Sequence, residues 1–317
     1  MAAPDVSNHV RIGSQLPSRE LALSGDVDVR GVLDLAMRWE CEGAESLWIG
    51  ESVTARPRLD AYTMLAALAA VTTEALLGSS VMLPALRPAI AFAHQVATID
   101  QLSQGRLIVG AGAGGPIPGT VAEFAHLQQD YKRRISGLEA TITAARALWS
   151  GSASGEPVDD PTGRFGFEAL SLFPPAFRPS GPPIWLATGT PQGLERCGRS
   201  YDGWMPYPSD PADYARGCAA IDGVARAAGR DPGSIERGLF VTVATGSQAD
   251  NRMEEYNQRY YRASRQAIGS FQLLITGSVS EVCSELARFV DAGAGHLIIR
   301  HATFDPGGHC GGGGRRP

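Results

Sequence analysis

Short apolar segments alternate with longer amphipathic segments along most of the chain. Short apolar runs bounded by turn-forming residues are typical of buried strands, and apolar residues three and four positions apart are typical of helices. The alternation therefore predicts repeated βα units around a parallel sheet. The predicted strands lie at 10–16, 46–51, 76–83, 107–111, 184–188, 203–207, 238–244 and 296–300. The predicted helices lie at 29–42, 60–72, 89–102, 120–149, 192–200, 211–228 and 279–292.

The eight predicted strands favour a closed (β/α)8 TIM barrel in a single domain over 1–317, because closure leaves no exposed sheet edge. An open doubly wound sheet is the alternative. Two insertions interrupt the alternation: 150–182, with one short strand predicted at 169–173, and 246–276, which is predicted to be helical. The sequence over 302–317 does not match a helix, so the eighth helix is predicted to be missing or the tail irregular.

The composition narrows the class of protein. Of the 317 residues, 44% are hydrophobic and 19% are charged, as in a soluble globular protein. A formal net charge of -5 argues against nucleic acid as a partner. No apolar run is long enough to cross a membrane and the first residues lack the pattern of a secretory signal. We therefore expect a cytoplasmic protein that does not bind nucleic acid.

In a TIM barrel the chemistry lies in the loops at the carboxyl ends of the strands. Glu51 ends the second strand, and its carboxylate either pairs with an arginine such as Arg56 or contacts a ligand. The glycines of 110–115 either admit a flat ring or a phosphate close to the backbone or form a tight turn. At 188–190, Thr-Gly-Thr either caps the next helix or holds a phosphate. The same rule selects further strand-end residues: Ser52, Arg58, Ser79, Ser80, Val81, Leu83, Arg87, 206–209 and His301.

Other reaction classes have no support in the sequence. It contains no GxSxG, HExxH or Walker motif. The five cysteines and six histidines are scattered without metal-ligand spacing, so no metal site is predicted. Lys132 is the only lysine and lies on a predicted helix, which argues against the strand-end Schiff base of an aldolase.

One stretch and several shorter motifs resemble the luciferase-like monooxygenase family. The stretch at 100–114 reads DQLSQGRLIVGAGAG, which is similar to the family's pattern at its fourth strand. Further motifs follow in the family's order: SLWIGE at 46–51, LGSSV at 77–81, PALRP at 84–88, Glu123 with Phe124, PIWLA at 183–187, DGW at 202–204 and GAGHLIIR at 293–300. The resemblance covers about residues 10–301.

The resemblance implies a TIM barrel that holds FMN or the deazaflavin F420 at the carboxyl ends of its strands. It implies a non-prolyl cis peptide at Ser80–Val81 under the cofactor ring. It places Glu51 near the ring, the glycine loop beside the cofactor, and 188–190 at the ribityl or phosphate portion. The cofactor-binding residues implied in this way are Glu51, Ser80, Val81, Leu83, Gly112, Gly114, Thr188, Gly189 and Thr190. Catalytic residues stay unknown, with Glu51 as a candidate.

The sequence also departs from one branch of that family. F420-dependent sugar-phosphate dehydrogenases carry a histidine after the acidic residue of strand two and a glutamate after the glycine loop. Ser52 and Gly115 stand at those places here, which argues against a sugar-phosphate substrate and against that acid–base pair.

We therefore expect an F420- or flavin-dependent oxidoreductase, and favour F420H2-dependent hydride transfer. Arg56, Arg58 and Arg87 are candidates for binding the anionic tail of F420. The alternative is a monooxygenase that uses reduced FMN and O2, with a separate reductase as its partner. A further alternative is a flavin-binding barrel without catalysis. A homodimer is compatible with each of these.

Overall fold

Eight parallel strands close into a barrel in the computed structural model, which describes residues 9–25, 27–208 and 210–305. Each strand pairs with the next along the chain, and β9 pairs with both β1 and β7, which closes the ring. The predicted TIM barrel is confirmed, and the open doubly wound sheet is wrong. The barrel strands are β1 (Arg11–Gln15), β2 (Ser46–Ile49), β3 (Leu76–Ser79), β4 (Leu107–Ala111), β5 (Ile184–Leu186), β6 (Gly203–Trp204), β7 (Glu236–Thr245) and β9 (His296–His301).

The insertion 246–276, predicted to be helical, is helical over Ala249–Tyr261 and Arg265–Gly269, but a ninth strand, β8 (Leu274–Gly277), begins at its end and was not predicted. β8 pairs with the last residues of β7, from Thr242 onward. The N–H of Glu236 points to the β6 side and that of Thr242 to the β8 side, so both strands lie on one edge of β7. β6 is only two residues long and pairs with Glu236 and Arg237 at the start of β7. The later residues on this edge of β7 are therefore free to pair with β8.

The helices surround the barrel, and most begin where the sequence pattern predicts. Asp60 caps its helix by accepting from the N–H of Thr63, and Ser278 forms a capping box with Glu281. The helices are α1 (Ser18–Ser24), α2 (Val29–Cys41), α3 (Ala61–Val71), α4 (Ala89–Leu102), α5 (Pro118–His126), α6 (Arg134–Ser154), α7 (Pro191–Ser200), α8 (Pro211–Ala227), α9 (Ala249–Tyr261), α10 (Arg265–Gly269) and α11 (Val279–Asp291).

Two predicted elements differ from the structure. The single helix at 120–149 is two helices, α5 and α6, because Gln128 has a φ of 58° and breaks the first one. The strand at 169–173 is reduced to one bridge between Val158 and Leu170, since Ala169 has a φ of 46°. No helix follows β9 within the described residues up to 305, and the predicted irregular tail beyond 305 lies outside them.

Large side chains fill the interior of the barrel below its mouth. Trp48 and Trp185 face each other there with ring centroids 5.4 Å apart. The indole N–H of Trp48 donates to the hydroxyl of Ser46 over 2.7 Å, and this hydroxyl hydrogen-bonds with Nε2 of His296 over 2.6 Å. Burial lowers the pKa of His296 to about 3, so its ring is neutral at ordinary pH. Ile108, Met205, Phe240 and Ile298 complete this packed floor.

Candidate active site

A cavity of about 670 Å³ opens at the carboxyl ends of the strands, above the packed interior. Every barrel strand or the loop after it contributes to its lining, as expected for a TIM barrel. All nine residues predicted to bind the cofactor line this one cavity, and their role in binding stays a prediction. They are Glu51, Ser80, Val81, Leu83, Gly112, Gly114, Thr188, Gly189 and Thr190.

The peptide bond between Ser80 and Val81 is cis, as the resemblance to the family implied. The N–H of Ser80 donates to Ile49 over 2.8 Å, and the N–H of Glu51 donates to Val81 over 3.1 Å. On the other side, the N–H of Met82 donates to Gly110 over 2.8 Å. The bulge that follows β3 is therefore held between β2 and β4 by backbone hydrogen bonds and lies at the cavity wall.

Glu51 is buried directly behind this bulge. One carboxylate oxygen accepts from the N–H of Leu83 over 2.7 Å, and the other accepts from Arg87 over 2.9 Å. Burial raises the pKa of Glu51, while the Leu83 N–H and the Arg87 guanidinium act in the opposite direction. The suggested pairing with Arg56 is wrong, because Arg87 takes that place. The carboxylate supports the bulge, and its candidate catalytic role stays a prediction.

Arg87 lies behind the same wall, and its Nη2 makes both of its contacts with carboxylates. It pairs with Asp60 over 2.9 Å in addition to Glu51, and its guanidinium lies 4.0 Å from the ring centroid of Tyr62. It does not line the cavity, whereas Arg56 and Arg58 do. Of the three arginines proposed for an anionic tail, only these two are therefore in a position to meet a ligand.

The glycines of the mouth fall into two groups. A Cβ on Gly112 would lie 2.6 Å from Cγ2 of Val81, and Gly114 has a φ of +84°. These two glycines are required by the packing of the loop against its neighbours. A Cβ on Gly115 or Gly189 would meet no atom within 4 Å, so their backbone is open. Both of these glycines line the cavity, so a ligand can approach their backbone closely.

The loop between β5 and α7 carries both predicted threonines. The hydroxyl of Thr190 accepts from the N–H of Gly193 over 3.2 Å, which confirms the interpretation as a helix cap. The N–H of Thr190 donates to the hydroxyl of Thr188 over 3.3 Å. Gly189 is exposed between them at the positive end of the α7 dipole, which favours an anion. Phosphate binding here stays a prediction.

Glu123 on α5 organises the loop that follows β2. One of its carboxylate oxygens accepts from the hydroxyl of Ser52 over 3.0 Å and from the N–H of Thr54 over 2.7 Å. It also accepts from the N–H groups of Val53 and Ala55. The sequence marked Glu123 only as a family motif, and its role as the anchor of this loop was not predicted.

Arg300, the last but one residue of β9, was missed by the sequence analysis, which named His301 instead. Arg300 is 5% exposed and lines the cavity. Its Nε donates to the hydroxyl of Thr242 over 3.0 Å, and its Nη2 donates to Gln272 over 3.0 Å. His301 points away from the mouth, where its ring centroid lies 5.5 Å from that of Trp39. The strand alternation of β9 separates the two side chains.

Among the described residues, no helix is long and apolar enough to cross a membrane, and no group of His, Cys, Asp and Glu side chains suits a metal ion. Of the other predicted strand-end residues, Tyr207 lines the cavity, and Ser209 lies outside the described residues. Ser79 is fully buried and donates to the Gly110 carbonyl over 2.8 Å.

Comparison with known proteins adds relatives to this geometry. A family model described as luciferase-like monooxygenase matches residues 10–297. The phthiodiolone/phenolphthiodiolone dimycocerosates ketoreductase of Mycobacterium tuberculosis is 29% identical over an alignment of 236 residues, and the match covers 66% of this chain. The chain spans 59% of the length of that curated relative.

Two solved structures share the fold. An F420-dependent secondary alcohol dehydrogenase in complex with an F420-acetone adduct has a TM-score of 0.77 at 18% identity, covering 93% of this chain and 94% of that chain. A monooxygenase from Streptomyces bottropensis has a TM-score of 0.75 at 20% identity, with the same coverage of 93% and 94%.

Proposed function

Because the chain belongs to the luciferase-like monooxygenase family, we propose that it is an F420-dependent oxidoreductase that transfers a hydride between the cofactor and a small organic substrate. The cis Ser80–Val81 bulge at the cavity wall, opposite open glycine backbone, is the observation that carries this proposal. The fold shared with an F420-dependent alcohol dehydrogenase and the likeness to a ketoreductase favour reversible hydride transfer.

In this proposal the chain supplies binding, orientation and exclusion of water. The backbone of Ser80 and Val81 would hold the ring, and Gly189 and Thr190 would hold the phosphate, since the α7 dipole stabilises negative charge there. The side chain of Ser80 is fixed because its hydroxyl donates to Gln15. The bound deazaflavin would supply the hydride chemistry itself. The packed floor of Trp48 and Trp185 keeps water out from below.

The second candidate is a monooxygenase that uses reduced FMN and O2. The description of the family and the fold shared with a Streptomyces monooxygenase favour it. In that case a separate reductase would have to supply the reduced flavin. Both candidates place the enzyme in the cytoplasm with a small-molecule substrate.

Titration of the purified chain with F420 and with FMN, each in both redox states, separates the candidates. We expect F420 to bind tightly and FMN to bind weakly. We also expect O2 to be consumed no faster than by the reduced cofactor in the absence of the protein. Preference for reduced FMN together with O2 uptake would contradict the F420 assignment. F420 binding without turnover over a panel of ketones, enones and imines would instead favour a barrel without catalysis.

A further inference from the structure

The cavity wall above β9, β1 and β2 is cationic. Four arginines gather there, and none of them forms an ion pair with a carboxylate of the described residues. The overall charge of the chain is -5, so this concentration of positive charge is not a general property of its surface. Arg56, Arg58 and Arg300 line the cavity, and Arg19 lies behind the lining, where its guanidinium carbon is 4.9 Å from the ring centroid of Tyr260.

Arg300 is the deepest of the four. A buried guanidinium without a counter-charge is costly, so natural proteins almost always pair it. Three of its five donors go to Thr242 and Gln272, and its Nη1 has no partner within the described residues. Its guanidinium carbon lies 5.3 Å from the ring centroid of Phe240 and 4.9 Å from that of Tyr260. These rings stabilise the cation but do not neutralise it.

The nearby charges leave the wall positive. Burial lowers the pKa of Arg19, and Arg58 and Arg56 lower it further by repulsion, which places the three guanidinium groups within each other's field. Glu20 is the carboxylate whose charge acts on Arg300, but it accepts from the hydroxyl of Tyr256 over 2.6 Å and contacts no arginine. None of the four arginines is therefore neutralised by an ion pair with a carboxylate of the described residues.

This wall is separate from the predicted phosphate site. Around the closed barrel, β6 and β7 lie between β5, which carries Thr190, and β9, which carries Arg300. Arg300 also packs against Phe240 in the floor of the mouth, whereas Thr190 is exposed at the rim. A cofactor whose phosphate-bearing chain runs outward past Thr190 would therefore not bring its phosphate to Arg300. The buried guanidinium of Arg300 would still lack an anionic partner.

The residues beside the cationic wall are apolar and partly exposed. Tyr207 is 48% exposed and Phe271 is 50% exposed, and both line the cavity together with Tyr261. Such surface suits a flat or hydrocarbon body. Arg58 comes close to the cavity because Gly50 has no side chain, and a Cβ there would lie 2.5 Å from its Nη1.

We propose that the substrate of this site carries a carboxylate on an apolar body, and that Arg300 and Arg58 bind this carboxylate while Tyr207 and Phe271 pack against the body. This inference rests on the proposed function, since it names the substrate class for the same cavity. A guanidinium pair binds a carboxylate through charge-assisted, geometrically specific hydrogen bonds, which a neutral amide does not replace.

The test is isothermal titration calorimetry of the full chain with three acids and their amides: benzoate and benzamide, 3-phenylpropionate and 3-phenylpropionamide, hexanoate and hexanamide. It is run with and without saturating F420. For at least one pair we expect the acid to bind about 10- to 100-fold more tightly than the amide. Arg300→Gln and Arg58→Gln should each reduce the acid to the affinity of its amide. Arg226→Gln, on the exposed face of α8, is the matched control and should keep the preference.

Equal affinity of acid and amide in all three pairs would overturn the inference. So would displacement of F420 by the acids, or a loss of F420 affinity in Arg58→Gln, because the arginines would then serve the cofactor. If Arg300→Gln does not fold, the half-buried Arg58 decides the outcome. If the wild-type chain binds the acids but neither F420 nor FMN, the proposed function is contradicted. The inference that the cavity binds a carboxylate would still hold.

Discussion

The two walls of the mouth differ in whether their buried charged side chains have partners. On the wall formed by β2, β3 and β4, Glu51 pairs with Arg87, and the Glu123 carboxylate accepts several backbone N–H groups. On the wall above β9, Arg300 is equally buried but has no carboxylate partner within the described chain. The difference indicates that the first wall is complete as a support, whereas the second is completed by a ligand.

The strongest way to break the supporting wall is Gly112→Val. The new side chain would collide with Val81, whose Cγ2 lies 2.6 Å from the position of the added Cβ, and would displace the bulge. We expect F420 affinity to fall at least about 100-fold with the barrel still folded. Fluorescence titration measures the affinity, and circular dichroism checks the fold.

Gly223→Val is the matched control, because a Cβ at this position on α8 meets no atom within 4 Å. This variant should bind F420 as the wild type does. Unchanged affinity in Gly112→Val would remove the glycine loop from the cofactor site.

Glu51→Ala tests how much that wall depends on its buried carboxylate. The substitution leaves the N–H of Leu83 without its acceptor and Arg87 with Asp60 alone. We expect the free energy of unfolding in urea to fall by about 3 kcal/mol, and by about 1 kcal/mol in Glu51→Gln, which keeps an acceptor oxygen. Equal, negligible losses in both variants would mean that the carboxylate does not hold the bulge.

His296 lies under both walls and gives the molecule a pH-dependent stability. Its pKa is about 3 in the folded chain against 6.5 for an ordinary histidine, so the unfolded chain binds the proton more readily. Stability is therefore complete above pH 6.5 and is lost as the pH falls towards 3. This histidine should account for about 2 kcal/mol between pH 6.5 and pH 5.

Urea unfolding of the wild type and of His296→Gln at a series of pH values measures this contribution. The glutamine can still hydrogen-bond with Ser46 but does not titrate. The acid-side slope should be smaller in the variant, and an identical slope in both proteins would show that His296 is protonated in the folded state.

Thr190→Ala is expected to have the smallest effect. It removes the side chain that caps α7, so the free energy of unfolding should fall by about 1 kcal/mol. F420 affinity should fall a few-fold, because the helix start loses its order. Thr190→Ser should restore both the stability and the F420 affinity. Equal F420 affinity in the alanine and serine variants would show that the helix cap does not contribute to cofactor binding.

The local pattern of the sequence was sufficient for the barrel, whereas the position of the bulge at Ser80–Val81 came only from the resemblance to a family. Strand β8 was missed because its four residues follow two helices and have no alternation of their own. The partner of Glu51 was missed because Arg87 lies far away in sequence, and only the closed barrel brings it nearer than Arg56. Arg300 was missed because arginine is normally exposed, and its burial depends on rings from α9.

The pairing of β8 with β7 has a consequence for how such an enzyme changes its substrate. β8 fixes the stretch 249–277 to the barrel, and this stretch carries Tyr261, Phe271 and Gln272, which lie around the mouth. The bulge and its supports on β2, β3 and β4 lie in a different part of the sequence. Exchange of this one contiguous stretch is therefore expected to change the residues around the substrate together, and to leave the proposed cofactor-binding wall unchanged.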